Sequence, residues 1–298
     1  MQTHINVSNP SGYADQVVTK APEWYWLVVF DTLINSLTTG LFLVAALGEL
    51  AAPATFTAVA TWAYPIALVL LLTDLGLLIL DLGDPLRFHH MLRVFKPSSP
   101  MSLGTWCLTI YALFLSTIVL VDVVIAMDWL PDDSRVAWWV RKLAVLGGLP
   151  FAFASAAYKG ILFSTTAQPG WKDARWLGAY LMNSALLLGC GELLALSILG
   201  GHARATALLH LASVLLLLLN VLALGLLMLD IHPARALGQL VALVLGVGVL
   251  VPLFLLAVGN SLLMVIAVML MVLGALVVRI QIVWLPHGIQ FRDDSVVG

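Results

Sequence analysis

Charge is what this sequence has least of. Only 10% of its 298 residues are Asp, Glu, Lys or Arg, while 61% are apolar. A soluble domain carries about 25% charged residues. A 32.1 kDa chain folded in water has too much surface to cover with so few polar side chains. The mean hydropathy of +1.03 points the same way, and lipid is the expected solvent for most side chains. A net charge of −2 leaves no basic surface for nucleic acid. Cysteine is nearly absent. Cys107 and Cys190 lie singly inside apolar runs, form no CxxC pair, and read as small apolar helix residues that say nothing about redox compartment. Histidine is scarce where it would matter. His210 falls in an apolar run, whereas His4, His89, His90, His202, His232 and His287 fall in loops or tails. Haem in a helical bundle takes axial histidines from facing helices, so no haem is expected, and no metal-ligand cluster is legible either. The first 22 residues are polar, lack the apolar core of a signal peptide, and read as an arm outside the bilayer.

Long apolar runs are what the sequence has instead. A spanning helix needs about 20 such residues. Eight runs qualify: 26–50, 55–82, 102–127, 139–163, 176–199, 206–229, 236–257 and 261–284. The expected fold is all-α, an integral membrane bundle of eight transmembrane helices arranged as two four-helix bundles. The expected organisation is an arm over 1–25, a first bundle over 26–163, a second over 176–284 and a tail over 285–298. An even number of spans puts both termini on one side, the terminal face. The longer loops, 83–101 and 164–175, lie on that face and hold Pro, Trp and charge, as functional loops do. Most Lys and Arg lie there too, against Arg135, Arg141, Lys142 and Arg204 opposite. The positive-inside rule then makes the terminal face cytoplasmic. A basic loop that serves as a docking surface would produce the same bias.

A faint repeat links the halves. Gly48-Glu49-Leu50 ends the first run and Gly191-Glu192-Leu193 lies in the fifth. Leu80-Asp81, followed by Pro85 and Arg87, is echoed by Leu229-Asp230, Pro233 and Arg235. Parallel repeats are common in membrane proteins.

Ionisable groups in a bilayer need a reason, because each costs at least about 2.5 kcal/mol at the centre. Asp31, Lys159, Asp230 and Arg279 fall among those in or near the runs, and snorkelling or capping accounts for most such residues. Asp74 lies one heptad before Asp81 and so about 10 Å deeper on the same helix face. Glu192 lies deep in its own run. Together with Asp81, Asp122, Glu49 and His210 they are candidates for a proton path; the plainer account is a set of hydrogen-bonded structural polar groups.

Three motifs follow in order. The first is Asp81-Leu82-Gly83-Asp84-Pro85-Leu86-Arg87-Phe88. The second is Ser99-Pro100-Met101-Ser102-Leu103-Gly104-Thr105-Trp106. The third is Tyr158-Lys159-Gly160, with Pro169 and Trp171 downstream. This set resembles the NrfD/polysulfide-reductase membrane-subunit family, with its DLG-x-P-x-RF, SPMS-x-G-x-W and Y-x-G segments in the same order. The resemblance covers nearly the whole chain, with the specific motifs between 74 and 192. It implies a quinone-reactive anchor for a ferredoxin-like iron–sulfur subunit, usually with a molybdopterin catalytic subunit beyond it. The subunit would carry no redox cofactor of its own, and menaquinone or ubiquinone would be its substrate. Tyr158 matches the family tyrosine implicated in binding the quinone head; the alternative for Tyr158 is an interfacial belt residue. The family often has a histidine in the first helix, and this chain has none there. Asn35 is the candidate for the second carbonyl, with Thr38 and Thr39 nearby. Asp81 either accepts protons or pairs with Arg87 to brace the loop. Arg87, His89, Arg93, Lys96, Trp171 and Lys172 are the expected docking residues. Gly83, Gly104 and Gly160 suit tight turns and close helix contacts, and Ser99 before Pro100 suits a helix cap. A different class, a secondary transporter or proton conductor, also fits a chain without soluble mass. Its mark would be broken helices at matching positions of the halves, and Pro65, Pro150 and Pro252 do not match in that way. A purely structural anchor without quinone is a third reading.

Overall fold

The computed structural model describes residues 24–131, 133–168, 170–231 and 244–297. Leucine-rich segments without interior polar breaks become long helices, because a bilayer leaves backbone groups no partner but each other. They are α1 (Trp26–Ala51), α2 (Pro53–Leu80), α3 (Pro100–Ala126), α4 (Arg135–Ser164), α5 (Leu177–Leu199) and α6 (Ala203–Asp230). A π-turn over Gly246–Leu250 leads into α7 (Val251–Val258), and α8 covers Ser261–Val297. Among the described residues seven helices are long and apolar enough to span, and Gly246–Val258 is a shorter apolar helix. Among the described residues there is no strand. The protein is thus a helical membrane bundle of about eight helices, as the composition requires. Much of the expected seventh run, with Pro233 and Arg235 of the repeat, lies outside the described residues, as does Pro169.

Local signals set the helix ends. Ser99 caps α3 by accepting from the Ser102 N–H, with Pro100 in the first turn. Gly259 turns left-handed (φ 76°) after α7, and Asn260 then accepts from the Leu262 N–H at 2.9 Å to start α8. The last helix runs on through Pro286, beyond the end expected at 284.

Two helices form the centre. Buried positions make up 72% of the apolar window in α1 and 67% in α5, against 22–39% in the other spans. α1 and α5 cross where Gly40 meets Gly189. A Cβ on Gly40 would sit 1.9 Å from the Ala185 carbonyl oxygen, so only glycine lets the backbones touch. α2 packs along α1, α4 along α3, and α6 along α5. Outward faces are apolar: Leu211, Leu215, Leu218, Leu219 and Leu222 of α6 are all exposed, as lipid contact requires. Trp129, Trp138 and Trp139 mark one interface, and Trp26, Trp176 and Trp284 the other.

Candidate functional site

Two polar clusters lie inside the first four helices. The upper one, toward the terminal face, joins α1, α2 and α4. On α1, Asp31 and Asn35 stand one turn apart and so share a face. On α4, Ser155 and Lys159 are likewise one turn apart. Lys159 Nζ pairs with Asp31 Oδ1 at 2.8 Å and Asp74 Oδ1 at 3.2 Å, and donates to the Asp31 carbonyl at 3.0 Å. Asn35 Nδ2 donates to Asp74 Oδ2 at 3.0 Å and to Ser155 Oγ at 3.3 Å. All five side chains are buried. The group sets two carboxyls against one amine. Arg279 of α8 lies against the other side of α1, bonded to the Thr32 carbonyl and to Ser36 and Ser184 hydroxyls.

Tyr158 adjoins this cluster. Its ring rests on Gly104 of α3, where a Cβ would lie 2.1 Å from Tyr158 Cδ2. Lys159 Nζ is 5.8 Å from the ring centroid, and the Asp31 and Asp74 carboxylates act on the phenol electrostatically. Tyr158 is half-buried, and among the described residues its hydroxyl has no hydrogen-bond partner. A free donor thus stands beside a buried, charged, proton-bearing group.

The lower cluster lies near the opposite face. Arg141 Nη1 pairs closely with Glu49 Oε1, and Arg141 Nε donates to Asp122 Oδ1 at 2.7 Å. Tyr64 donates to Glu49 Oε2 at 2.7 Å. A cavity of about 480 Å³ borders this cluster, lined by Glu49, Asp122, Arg141, Lys142, Thr57 and Trp138 among others.

The expected site residues are therefore distributed, not gathered. Asn35 and Asp74 meet, while Thr38 and Thr39 turn to other partners: Thr39 donates to the Asn35 carbonyl, and Thr38 bonds to Ala67 O and Tyr111. Glu49 and Asp122 meet on Arg141. Glu192 stands apart from both, with Oε2 buried and unpaired. His210 bonds to the Leu256 carbonyl at 2.9 Å, in the second half and away from the other acids. The five acids and the histidine proposed from the sequence do not form one chain of contacts.

At the terminal face Arg87 pairs with Asp84 at 3.0 Å, and not with Asp81, because the 3₁₀ segment Pro85–Leu92 places Asp84 and Arg87 one turn apart. Asp81 ends α2 at the surface, where partial burial raises its carboxyl above the ordinary value. His89, Arg93, Lys96 and Lys172 are exposed. Trp171 is the correction. It is fully buried, stacks on Trp24 and donates Nε1–H to the Ile282 carbonyl, so it anchors its loop and offers nothing to a partner. Gly104 and Gly160 are contact glycines as expected; Gly83 borders open space.

Sequence reasoning missed Asp31, Ser155 and Lys159 as site residues. The i, i+4 pairs Asp31/Asn35 and Ser155/Lys159 were the available signal. Tyr64 and Tyr111 carried no signal beyond an aromatic in an apolar run.

A family model described as "Polysulphide reductase, NrfD" matches residues 17–290. The chain belongs to the NrfD family. As an NrfD subunit it is a multi-pass membrane component of an oxidoreductase complex. No curated protein matches it. Among the described residues there is no group of three His, Cys, Asp or Glu that could hold a metal ion.

Proposed function

We propose that this NrfD subunit binds a quinone or quinol head at Tyr158 and exchanges its electrons with an iron–sulfur partner docked on the terminal face. The observation that carries this reading is the unpartnered Tyr158 phenol, half-buried on Gly104 beside the Lys159–Asp31–Asp74 group. A quinone carbonyl needs a hydrogen-bond donor, an apolar slot and a proton source within reach. Tyr158 supplies the donor. The flanks of α3 and α4 supply apolar surface. Lys159 and the two carboxylates supply groups that hold and release protons. Reduction of a quinone takes two electrons and two protons; the electrons come from the partner's clusters, and the protons pass through groups of this chain. The reverse holds for quinol oxidation.

Docking on the terminal face is supported by its loops. Arg87, Arg93, Lys96 and Lys172 project there beside exposed Leu86, Phe88, Val94 and Phe95. Arginine with exposed aromatic and aliphatic groups is the mixture interfaces favour. The excess of basic residues favours a cytoplasmic position for this face. A molybdopterin subunit beyond the iron–sulfur partner completes the proposed complex.

The test is purification from native membrane in mild detergent, with mass spectrometry of co-purifying subunits and lipids, for wild type and Tyr158→Phe. Wild type should carry an iron–sulfur subunit and a quinone. Tyr158→Phe should assemble normally and turn quinone over at least tenfold more slowly, roughly the worth of one charge-stabilising hydrogen bond. Unchanged turnover removes Tyr158 from the site. A chain that purifies without partner or quinone favours a transporter.

A further inference from the structure

One face of α1 reads Asp31, Asn35, Thr38, Phe42, Ala45 and Glu49, spaced alternately four and three residues apart. Such a stripe stays on one side of a helix. It faces α2 and α4 and runs across most of the bilayer, about 27 Å at 1.5 Å per residue. Its upper polar members join the Tyr158 side. Asp31 and Asn35 sit in the Lys159 cluster, and one turn further Thr38 bonds with the Tyr111 hydroxyl at 3.1 Å. Its last member, Glu49, belongs to the lower cluster with Tyr64, Asp122 and Arg141.

The two sets approach each other and stop at one ring. Phe42 is fully buried. Its centroid lies 5.2 Å from that of Tyr111 and 5.8 Å from that of Tyr64. The hydroxyls of those tyrosines turn away from it, Tyr111 toward Thr38 and Tyr64 toward Glu49. Gly148 of α4 makes room for the ring, because a Cβ there would sit 2.7 Å from Phe42 Cζ. Below the ring, Glu49, Asp122, Arg141 and Lys142 line the cavity of about 480 Å³, whose rim includes exposed Pro53, Thr57 and Trp138. At about 30 Å³ of liquid volume per water, that space has room for many waters. Asp122 Oδ2 and Arg141 Nη2 are buried and lack protein partners, so the cluster is not closed on itself.

We propose that Glu49, Tyr64, Asp122 and Arg141 form a second protonic site, in exchange with water on the opposite face through this cavity, and that the Phe42 ring insulates it from the Tyr158 side. This deepens the proposed function and rests on it in one respect, that the upper cluster exchanges protons with quinone. The step itself is proton transfer alone. A proton enters from cavity water at Glu49 or Asp122 and returns to the same water, while the Tyr64 hydroxyl donates to Glu49 Oε2 and holds that carboxyl in place. Phe42 offers no lone pair and no acidic hydrogen, and it excludes the water that would bridge Tyr64 to Tyr111. The insulation keeps the membrane potential from discharging through the first bundle.

The experiment is passive proton flux into liposomes holding the purified complex, driven by a potassium diffusion potential, with no quinone turnover. Wild type and Phe42→Leu should be tight. Phe42→Ser should leak at least tenfold faster, and Phe42→Asn, which puts a donor and an acceptor where the ring stood, should leak as well. Adding Glu49→Gln to either should return the flux to the wild-type value. Thermal unfolding establishes that each variant is folded, and Phe42→Asn carries the test if Phe42→Ser does not fold. A folded Phe42→Ser or Phe42→Asn as tight as wild type overturns the proposal, as does a leak indifferent to Glu49→Gln. Flux needs no quinone, so its outcome is separate from that of Tyr158→Phe.

Discussion

Lys159 holds two carboxylates at once, and each is as buried as the ammonium that holds it. Removing one partner of such a group leaves charge in a medium that cannot solvate it, at a cost of about 3–5 kcal/mol. Lys159→Met should therefore lower thermal stability in detergent sharply, and adding Asp31→Asn with Asp74→Asn should recover most of the loss. Recovery would show that the loss came from unpaired acids and not from packing. A variant Lys159→Met that melts with wild type would mean that the acids are neutral already. Tyr158 differs in kind. Its hydroxyl makes no bond to the described protein, so its loss should appear in turnover and not in stability.

At the scale of helices, glycine decides how closely the halves meet. Gly40→Ala places a methyl group against the Ala185 backbone, which has no rotamer with which to yield. Overpacking of that kind costs about 1–3 kcal/mol, and Gly189→Ala should do the same at the same crossing. Gly83→Ala, with nothing within 4 Å, is the matched control. Melting curves in detergent would check all three. The spans were legible because apolar length alone defines them, and so was the Ser99 cap, which is a local pairing. The α1 stripe was legible in part: Asn35, Thr38 and Glu49 stand out in an apolar run. The pairing of Asp31 was not, since its ammonium partner lies 128 residues away. An acid one turn from a helix end reads as a snorkelling residue until its neighbour is known. Trp171 misled for a similar reason: a loop tryptophan near charge looks like a docking residue, and only the fold shows Ile282 receiving its N–H.

Over the whole molecule the two ends differ in purpose. The terminal face is basic and knobbed with exposed apolar side chains, and on the opposite face a cavity leads to Glu49. Arg87→Glu with Arg93→Glu and Lys96→Glu should reduce recovery of the iron–sulfur partner by roughly tenfold or more, since like charges across an interface cost several kcal/mol. Residual binding should weaken further with salt. Recovery of a full complement of partner from this variant would move the docking surface elsewhere. The transmembrane bundle itself should melt as wild type does, because among the described residues Arg87 is bonded only to Asp84, at the surface.

The Arg279 contacts also bear on synthesis. Ser36 receives the Arg279 guanidinium from 243 residues further along the chain. At about 5–20 residues per second the ribosome needs roughly 12–50 s to make that stretch. Through that interval α1 sits in the membrane with an acidic cluster on one flank and, on the other, a Thr32 carbonyl and a Ser36 hydroxyl without their guanidinium partner. The first helix to be made is among the last to be finished, and a nascent chain stalled before α8 offers quality-control proteases an exposed polar helix in lipid.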